Sequence, residues 1–329
     1  MAEPLFIDAG QALSLDKLDS RQVFGQVMEK LAERYPLLSV VVSDYGRRLA
    51  LDKVKEQHPD VVVQCGIAEQ NQIEVASALA NEGGPVFAVS YSPFITARVL
   101  DQIRVNLGMM GSPVILVGLG AGYAVGELGA SHMGLEDIAD LRAIPGMTVV
   151  SPRDNAELAL VLEELAADPR PAYVRVTTGP ASELACQGGV RSGLGRGQIL
   201  QEAEGEAPVA LIATGTLCTQ ALEAARILKA EGTDCLVAEL ATIKPLDEGF
   251  LEGLRGCPIW VSIEEHSCIG GLGGALAEHI AGRAASPALI RCAAPDAYLE
   301  ADVQQELRHR AGLDAEGIAA TVRKALGRL

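Results

Sequence analysis

The sequence predicts an α/β fold with two domains, each a mostly parallel sheet covered by helices on both faces. Short apolar runs at 38–42, 86–89 and 114–117 alternate with longer segments of helical periodicity. This alternation is typical of a parallel sheet buried on both sides. It stops near residues 179–207, which are rich in Gly, Pro and acidic residues, and then begins again. The interruption predicts a domain boundary.

The predicted organisation has four parts. An irregular lead-in covers residues 1–19, a first domain covers 20–185, a linker covers 186–207 and a second domain covers 208–329.

Helix ends are predicted from capping residues. Ser20 is expected to cap the first long helix, and Ser151 a later one that has Pro152 at its first position. Residues 94–110 show apolar residues at helical spacing and predict one helix.

Composition excludes several function classes. The formal net charge is −16 and no basic block compensates it, which argues against nucleic acid or an anionic membrane as partner. The first residues lack the pattern of a signal peptide, and no apolar run approaches the roughly 20 residues that span a bilayer. The seven cysteines are scattered without a CxxC pair, so we expect reduced thiols, no metal site and a cytoplasmic protein.

The stretch 61–80, VVVQCGIAEQNQIEVASALA, places one carboxylate in a distinctive position. It predicts a buried strand, a turn at Gly66 and a helix that carries Glu69 near its start. Open α/β sheets bind ligands at the carboxyl ends of their strands, so Glu69 is a candidate site residue. It is equally consistent with an acid that only complements the helix dipole.

Two glycine-rich loops were candidates for phosphate binding. After Gly118 and Gly120, a dinucleotide fingerprint needs its third glycine at position 123, where this chain has Tyr123. After Gly271 and Gly273 it needs one at position 276, where this chain has Leu276. Neither loop is therefore predicted to bind a dinucleotide. His132, at the end of the first loop, is a candidate catalytic group or a structural hydrogen-bonding residue. Residues 264–266, Glu-Glu-His, are either a carboxylate–imidazole network or a solvated strand end.

Three stretches together resemble the C-terminal half of transketolases, especially split enzymes whose halves are separate chains. They are GIAEQNQ (66–72), SHMGLEDIADLRAIPGMTVVSP (131–152) and EEHSCIGGLGGALAEHI (264–280). The first is also similar to deoxyxylulose-phosphate synthases and to β chains of 2-oxo-acid dehydrogenases. The resemblance implies a pyrimidine-binding domain, a transketolase C-terminal-like domain and thiamine diphosphate as cofactor.

The resemblance also implies roles for individual residues. Glu69 matches the glutamate that bonds N1′ of the aminopyrimidine and favours the tautomer able to activate the thiazolium. His132 matches the histidine that faces the substrate oxygens. Tyr91 and Phe94 match aromatic residues against the pyrimidine, although Phe94 is also consistent with a core position in its helix. Ile67 is assigned to the cofactor pocket by the same match, and Arg21 to the substrate phosphate.

Departures from the family pattern imply a partner and an altered pocket. The GDG…N element that holds Mg²⁺ and the diphosphate is absent from the 329 residues. We therefore expect an N-terminal, diphosphate-binding subunit, with Mg²⁺ ligated mainly there, in an α2β2 heterotetramer. Transketolases have a histidine where this chain has Gly120, and an aspartate where Leu128 stands. Their loss removes groups that read sugar hydroxyls, and such changes shift substrate choice strongly.

The expected function is that of a β-type subunit transferring a two-carbon ketol unit between sugar-like substrates. A first alternative is a 2-oxo acid donor with acyl transfer. A second is a regulatory subunit that keeps the fold without catalysis.

Overall fold

The computed structural model describes residues 9–44, 49–177 and 193–327, and it confirms the predicted fold class. Within these residues two mostly parallel sheets form, one of seven strands and one of five. The seven strands of the first sheet are β1 (Ser39–Val42), β2 (Val62–Gln64), β3 (Val86–Tyr91), β4 (Val114–Leu119), β5 (Thr148–Val150), β6 (Ala172–Val176) and, from later in the chain, β10 (Thr242–Lys244).

The first sheet has the strand order β10-β5-β6-β4-β3-β1-β2. Strands β1 to β6 pair in parallel, and β10 pairs antiparallel with β5. Because parallel strands share one direction, the carboxyl ends of β1, β2, β3 and β4 open at the same edge of the sheet. That edge carries the candidate site.

The second sheet has the order β12-β11-β8-β9-β7, with only the edge strand β7 antiparallel. Its strands consist of β7 (Gln198–Gln201), β8 (Val209–Ala213), β9 (Cys235–Glu239), β11 (Ile259–Ser267) and β12 (Ala288–Ala294). Strand β11 includes Glu264, Glu265 and His266, and all three are buried, so the interpretation of 264–266 as a solvated strand end is wrong.

Helices pack on the sheets through faces that repeat at helical spacing. Val23, Phe24, Val27 and Leu31 of the second helix are fully buried against the first sheet. The helices before residue 177 are α1 (Ala9–Asp16), α2 (Ser20–Arg34), α3 (Asp52–Gln57), α4 (Glu69–Ala80), α5 (Ser92–Ile95), α6 (Leu100–Gln102), α7 (Asp137–Arg142) and α8 (Asn155–Ala167). Those after residue 193 are α9 (Leu217–Ala230), α10 (Glu248–Gly253), α11 (Leu272–Ile280), α12 (Gln304–Arg310) and α13 (Ala315–Leu326).

Both predicted helix caps are wrong. Asp19 caps α2, where its side chain accepts from the Arg21 N–H, and Asp154 caps α8, where it accepts from the Glu157 N–H. An ionised carboxylate satisfies an orphan N–H and also complements the positive end of the helix dipole, so a neighbouring Asp displaces Ser from the cap.

The single helix predicted over 94–110 is also wrong. The chain instead forms α5, a 3₁₀ turn (Ala97–Val99), α6 and a π-helix (Ile103–Met109). The interruption falls at Thr96, whose φ of −122° and ψ of −90° are not helical and whose hydroxyl donates to Ser92 O.

The predicted lead-in and linker contain regular structure. Residues 9–16 of the lead-in form α1, and the Asp16 carboxylate accepts from the Ala156 N–H. Within the predicted linker, 198–201 form β7, while residues 186–192 lie outside the described residues. The boundaries 20–185 and 208–329 stay a proposal.

No helix in the described ranges is long and apolar enough to cross a membrane. The six cysteines in those ranges are free thiols.

A buried polar cluster joins the start of α8 to the end of β9. The Arg153 guanidinium pairs with the carboxylates of Asp154 and Glu239, and its backbone N–H donates to Glu157 at 2.8 Å. One cation thus faces three carboxyl groups. Burial, together with the neighbouring carboxylates of Glu239 and Asp154, raises the pKa of Glu157 well above its ordinary value.

Replacing Glu157 by Gln is expected to flatten the pH dependence of stability. A carboxyl group with a raised pKa keeps its proton in the folded chain while the unfolded chain releases it, so stability falls as pH rises between the two pKa values. The wild type should lose unfolding free energy above pH 4.5, the ordinary glutamate pKa, by up to about 1.4 kcal/mol per pH unit from this group.

Urea denaturation between about pH 5 and about pH 8 measures this slope. The exposed Glu82→Gln serves as control and should keep the wild-type slope. A Glu157→Gln variant with the wild-type slope would contradict a protonated Glu157.

Candidate active site

Glu69 lies at the carboxyl edge of the first sheet, as the first residue of α4. Its side chain is buried, with only 4% of the residue exposed. Arg98 Nη1 donates to Glu69 Oε2 at 2.9 Å. The sequence placed a carboxylate at this edge correctly, but it gave no indication of an arginine partner.

Arg98 links Glu69 to an aromatic ring. Its guanidinium carbon lies 3.8 Å from the centroid of the Phe94 ring, which is a cation–π contact. The Arg98 side chain is 42% exposed, so the pair is covered by a group that solvent reaches. A buried acceptor and an aromatic face therefore contact the same partly exposed guanidinium.

Three rings gather around the same point. The centroid of the His132 ring lies 5.4 Å from that of Tyr91 and 5.1 Å from that of Phe94. The Tyr91 and Phe94 centroids are 5.9 Å apart, and all three pairs meet edge to face. The structure thus brings together four residues that the sequence analysis selected, Glu69, Tyr91, Phe94 and His132.

His132 is carried by the loop 120–134, which we call the His132 loop. The Gly122 N–H donates to Gly134 O at 2.9 Å and closes the loop at its base. The imidazole is half-buried, and its Nδ1 lies 3.0 Å from the Ser131 hydroxyl. Fixed at both ends, the loop holds an imidazole against the rings of the sheet edge.

Gly120 lies in a crowded part of this loop, whereas Leu128 is exposed. Gly120 has φ +64°, and a Cβ there would lie 3.1 Å from Val125 and 3.3 Å from Tyr91. A larger residue would therefore be strained and crowded. Leu128 lies in the 3₁₀ turn Gly126–Leu128 and is 52% exposed.

The buried ion pair of Asp137 and Arg175 connects elements that carry the site residues. Asp137 Oδ2 accepts from Arg175 Nε at 2.8 Å, from the Tyr173 hydroxyl at 2.6 Å and from the Ser92 hydroxyl at 2.9 Å. Burial alone would raise the pKa of Asp137, but Arg175, His266 and the Tyr173 hydrogen bond outweigh it and lower that pKa. Asp137 is therefore an ionised anchor for α5, which carries Phe94.

Two further predicted residues, Arg21 and Ile67, have different surroundings. Arg21 is engaged by Asp19 at the start of α2, with Nε 2.7 Å from Oδ1. Ile67 precedes α4 and is 76% exposed, so its side chain lies at the surface of this chain.

Sequence reasoning missed Gln72. Its amide nitrogen donates to Val41 O at 2.8 Å and to Val89 O at 3.1 Å, which ties α4 to the ends of two strands. A polar residue three positions after Glu69, on the apolar face of the helix, was the available signal.

Comparisons with known proteins agree with this architecture. Residues 16–181 match the family model "Transketolase, pyrimidine binding domain", and residues 195–318 match "Transketolase, C-terminal domain". The fold and these matches define a transketolase-type chain that carries the pyrimidine-binding and C-terminal domains. The chain belongs to the transketolase family, which confirms the resemblance drawn from its sequence.

Individual relatives support the same assignment. The chain is 35% identical to a Methanocaldococcus jannaschii protein named "Putative transketolase C-terminal section", over 92% of this chain and 94% of that protein. It is 34% identical to the 1-deoxy-D-xylulose-5-phosphate synthase of Magnetococcus marinus, over 93% of this chain but only 49% of that enzyme. A solved "Split gene transketolase, inactive beta4 tetramer" superposes with a TM-score of 0.81 at 31% identity, over 94% of this chain and 98% of that one.

Replacing Asp137 by Ala should destabilise the fold strongly. The change leaves the buried Arg175 guanidinium without its counter-charge, and breaking one side of a buried ion pair costs about 3–5 kcal/mol. Urea denaturation followed by circular dichroism measures the loss. Asp140→Ala on the same helix is the control, because burial and the neighbouring Glu136 raise the pKa of Asp140 to about 6 and its removal relieves repulsion. Similar losses in both variants would contradict a special role for Asp137.

Proposed function

We propose that this chain is the β-type subunit of a split, thiamine diphosphate-dependent transketolase-like enzyme. In this proposal it transfers a two-carbon ketol unit between sugar or sugar-like substrates. The observation that carries the proposal is the buried Glu69 carboxylate beside the Phe94 ring, with His132 on the adjoining loop. A regulatory subunit would have no use for a buried carboxylate that a half-exposed arginine partners.

The residues at the sheet edge fit the aminopyrimidine of thiamine diphosphate. That ring needs one carboxyl partner for N1′ and an apolar face to stack on, and Glu69 and Phe94 lie together beside Arg98. The bound cofactor supplies a carbon nucleophile that can cleave a bond next to a carbonyl. We infer that Arg98 releases Glu69 when the aminopyrimidine binds, because both would use the same carboxylate oxygen and the same ring face.

His132 is proposed to exchange a proton with the substrate oxygen. The Ser131 hydroxyl engages Nδ1, so we assign the exchange to Nε2. Tyr91 and Phe94 contact the imidazole edge to face and limit its rotation. A fixed imidazole is pre-oriented to donate to a developing negative charge.

The diphosphate and Mg²⁺ are proposed to be bound mainly by a partner subunit. In the described ranges no group of three or more His, Cys, Asp or Glu side chains is placed to hold a metal ion. The solved relative named an inactive β4 tetramer supports a chain that needs a second kind of subunit. We propose an α2β2 assembly with an N-terminal, diphosphate-binding subunit. A cytoplasmic location stays a prediction.

A 2-oxo acid donor is the second candidate, and Gly120 favours it. At this position the positive φ would strain any side chain that could read a sugar hydroxyl, and Val125 and Tyr91 would have to shift to admit it. A panel of ketose phosphates and 2-oxo acids, tested with the assembled complex, separates the two candidates. Turnover of ketose phosphates alone would remove the second one.

Replacing Glu69 by Gln or Ala should reduce turnover of the assembled complex by at least about 100-fold, because the carboxyl partner of the cofactor is lost. Steady-state kinetics with the reactive donor measures the effect. Glu74→Gln lies on the exposed side of the same helix and should keep wild-type activity. Activity near wild type in the Glu69 variants would refute the assignment.

Replacing His132 by Ala should impair donor use more than cofactor binding. We expect kcat/KM for the donor to fall at least about tenfold while the cofactor Kd changes less than about twofold, because His132 contacts substrate oxygens in the proposed site. Equal losses in both quantities would assign His132 to cofactor binding or to structure instead.

A further inference from the structure

We propose that Glu265, on the second sheet, is a positioning residue that holds the His132 loop in its working conformation. The inference deepens the proposed function, because it gives the C-terminal domain a part in presenting His132 to substrate. Glu265 is a strand residue of β11, is 3% exposed and points across to the first domain.

The Glu265 carboxylate binds the loop directly. Oε1 accepts from the backbone N–H of Tyr123 at 2.7 Å and from Gln304 Nε2 at 2.9 Å, while Oε2 pairs with the Arg308 guanidinium. A buried carboxylate with both oxygens engaged has one orientation, since any rotation breaks a charge-assisted bond. Tyr123 is therefore held by a group that cannot move independently of β11.

Glu265 lies so close to the loop that a side chain at position 122 would collide with it. A Cβ on Gly122 would lie 2.6 Å from Glu265 Oε1, and Gly122 has φ +66°. Only glycine permits both the conformation and the contact.

The other end of the loop is bonded by Arg175, which also bonds the backbone carbonyl of Glu265. Arg175 Nη2 donates to Glu265 O at 2.7 Å and to Gly134 O at 2.9 Å. Gly134 O also accepts the Gly122 N–H that closes the loop. The Glu265 side chain thus bonds the loop near its start, and Arg175 connects the Glu265 backbone to the loop end, two residues after His132.

Helix α12 extends the same support to the middle of the loop. It supplies Gln304 and Arg308 to Glu265, and its Leu307 lies so close to Gly126 that a Cβ there would be 2.2 Å away. The turn that contains Leu128 therefore rests on the helix that orients Glu265. A displacement of Glu265 would shift the whole loop, and with it the His132 ring against Tyr91 and Phe94.

The neighbouring Glu264 provides a matched control. It is equally buried on the same strand, but its oxygens accept from the N–H groups of Leu272 and Gly273 at 2.6 and 2.8 Å, at the start of α11. Its carboxylate thus supports a helix of its own domain and makes no hydrogen bond to the loop. A purely structural role for buried acids on β11 would affect both residues alike.

The test compares Glu265→Ala, Glu265→Gln and Glu264→Gln by amide hydrogen exchange on the chain alone. We expect exchange of loop amides around Tyr123 to accelerate at least about tenfold in Glu265→Ala and by less in Glu265→Gln, which keeps an acceptor for the Tyr123 N–H. In Glu264→Gln the loop should exchange at the wild-type rate. Should Glu265→Ala not fold, Gln304→Ala removes one restraint on the carboxylate, and loop exchange should rise at least about threefold.

Kinetics of the assembled complex supplies the second readout. Glu265→Gln should raise the donor KM at least about fivefold while the cofactor Kd stays within about twofold of wild type. Unchanged loop exchange in the Glu265 variants, or equal acceleration in Glu264→Gln, would overturn the positioning role. A wild-type complex that turns over no donor would overturn the proposed function instead, since the exchange result does not depend on cofactor or activity.

Discussion

The buried ion pair of Asp137 and Arg175 is the interaction on which the candidate site depends. Asp137 fixes Ser92 and Tyr173, and thereby the short helix that carries Phe94. Arg175 reaches the other way, to the end of the His132 loop and to the backbone of Glu265. A buried charge needs an opposite charge and hydrogen bonds to compensate it, and Arg175, Tyr173 and Ser92 provide these to Oδ2 of Asp137, so these elements hold one another in place.

Both sheets contribute residues that position the candidate site. The first sheet supplies Glu69 and the aromatic residues at the open edge of its parallel strands. Strand β11 and helix α12 of the second sheet's domain contact the loop that carries His132. In the proposed function the second domain would therefore support the substrate-facing His132 loop, while the cofactor-facing Glu69 rests on the first domain alone.

The sequence predicts the fold and the edge residues well, because these depend on local patterns. The apolar runs predicted at 86–89 and 114–117 both lie in buried strands, β3 and β4, because each is a short apolar segment. Arg98 was missed because the break at Thr96 turns its side chain toward Glu69, whereas a continuous helix would place it elsewhere. The contact of Glu265 with Tyr123 joins residues 142 positions apart, and no local pattern encodes such a distance.

The central claim is that this chain provides the aminopyrimidine half of a shared thiamine diphosphate site. Calorimetric titration of thiamine diphosphate with Mg²⁺ tests it most directly, first into this chain alone and then into its complex with a subunit that carries the GDG…N element. The account predicts binding only to the complex, and its loss in Glu69→Ala. Equally tight binding to this chain alone, or no binding to the complex, would contradict it.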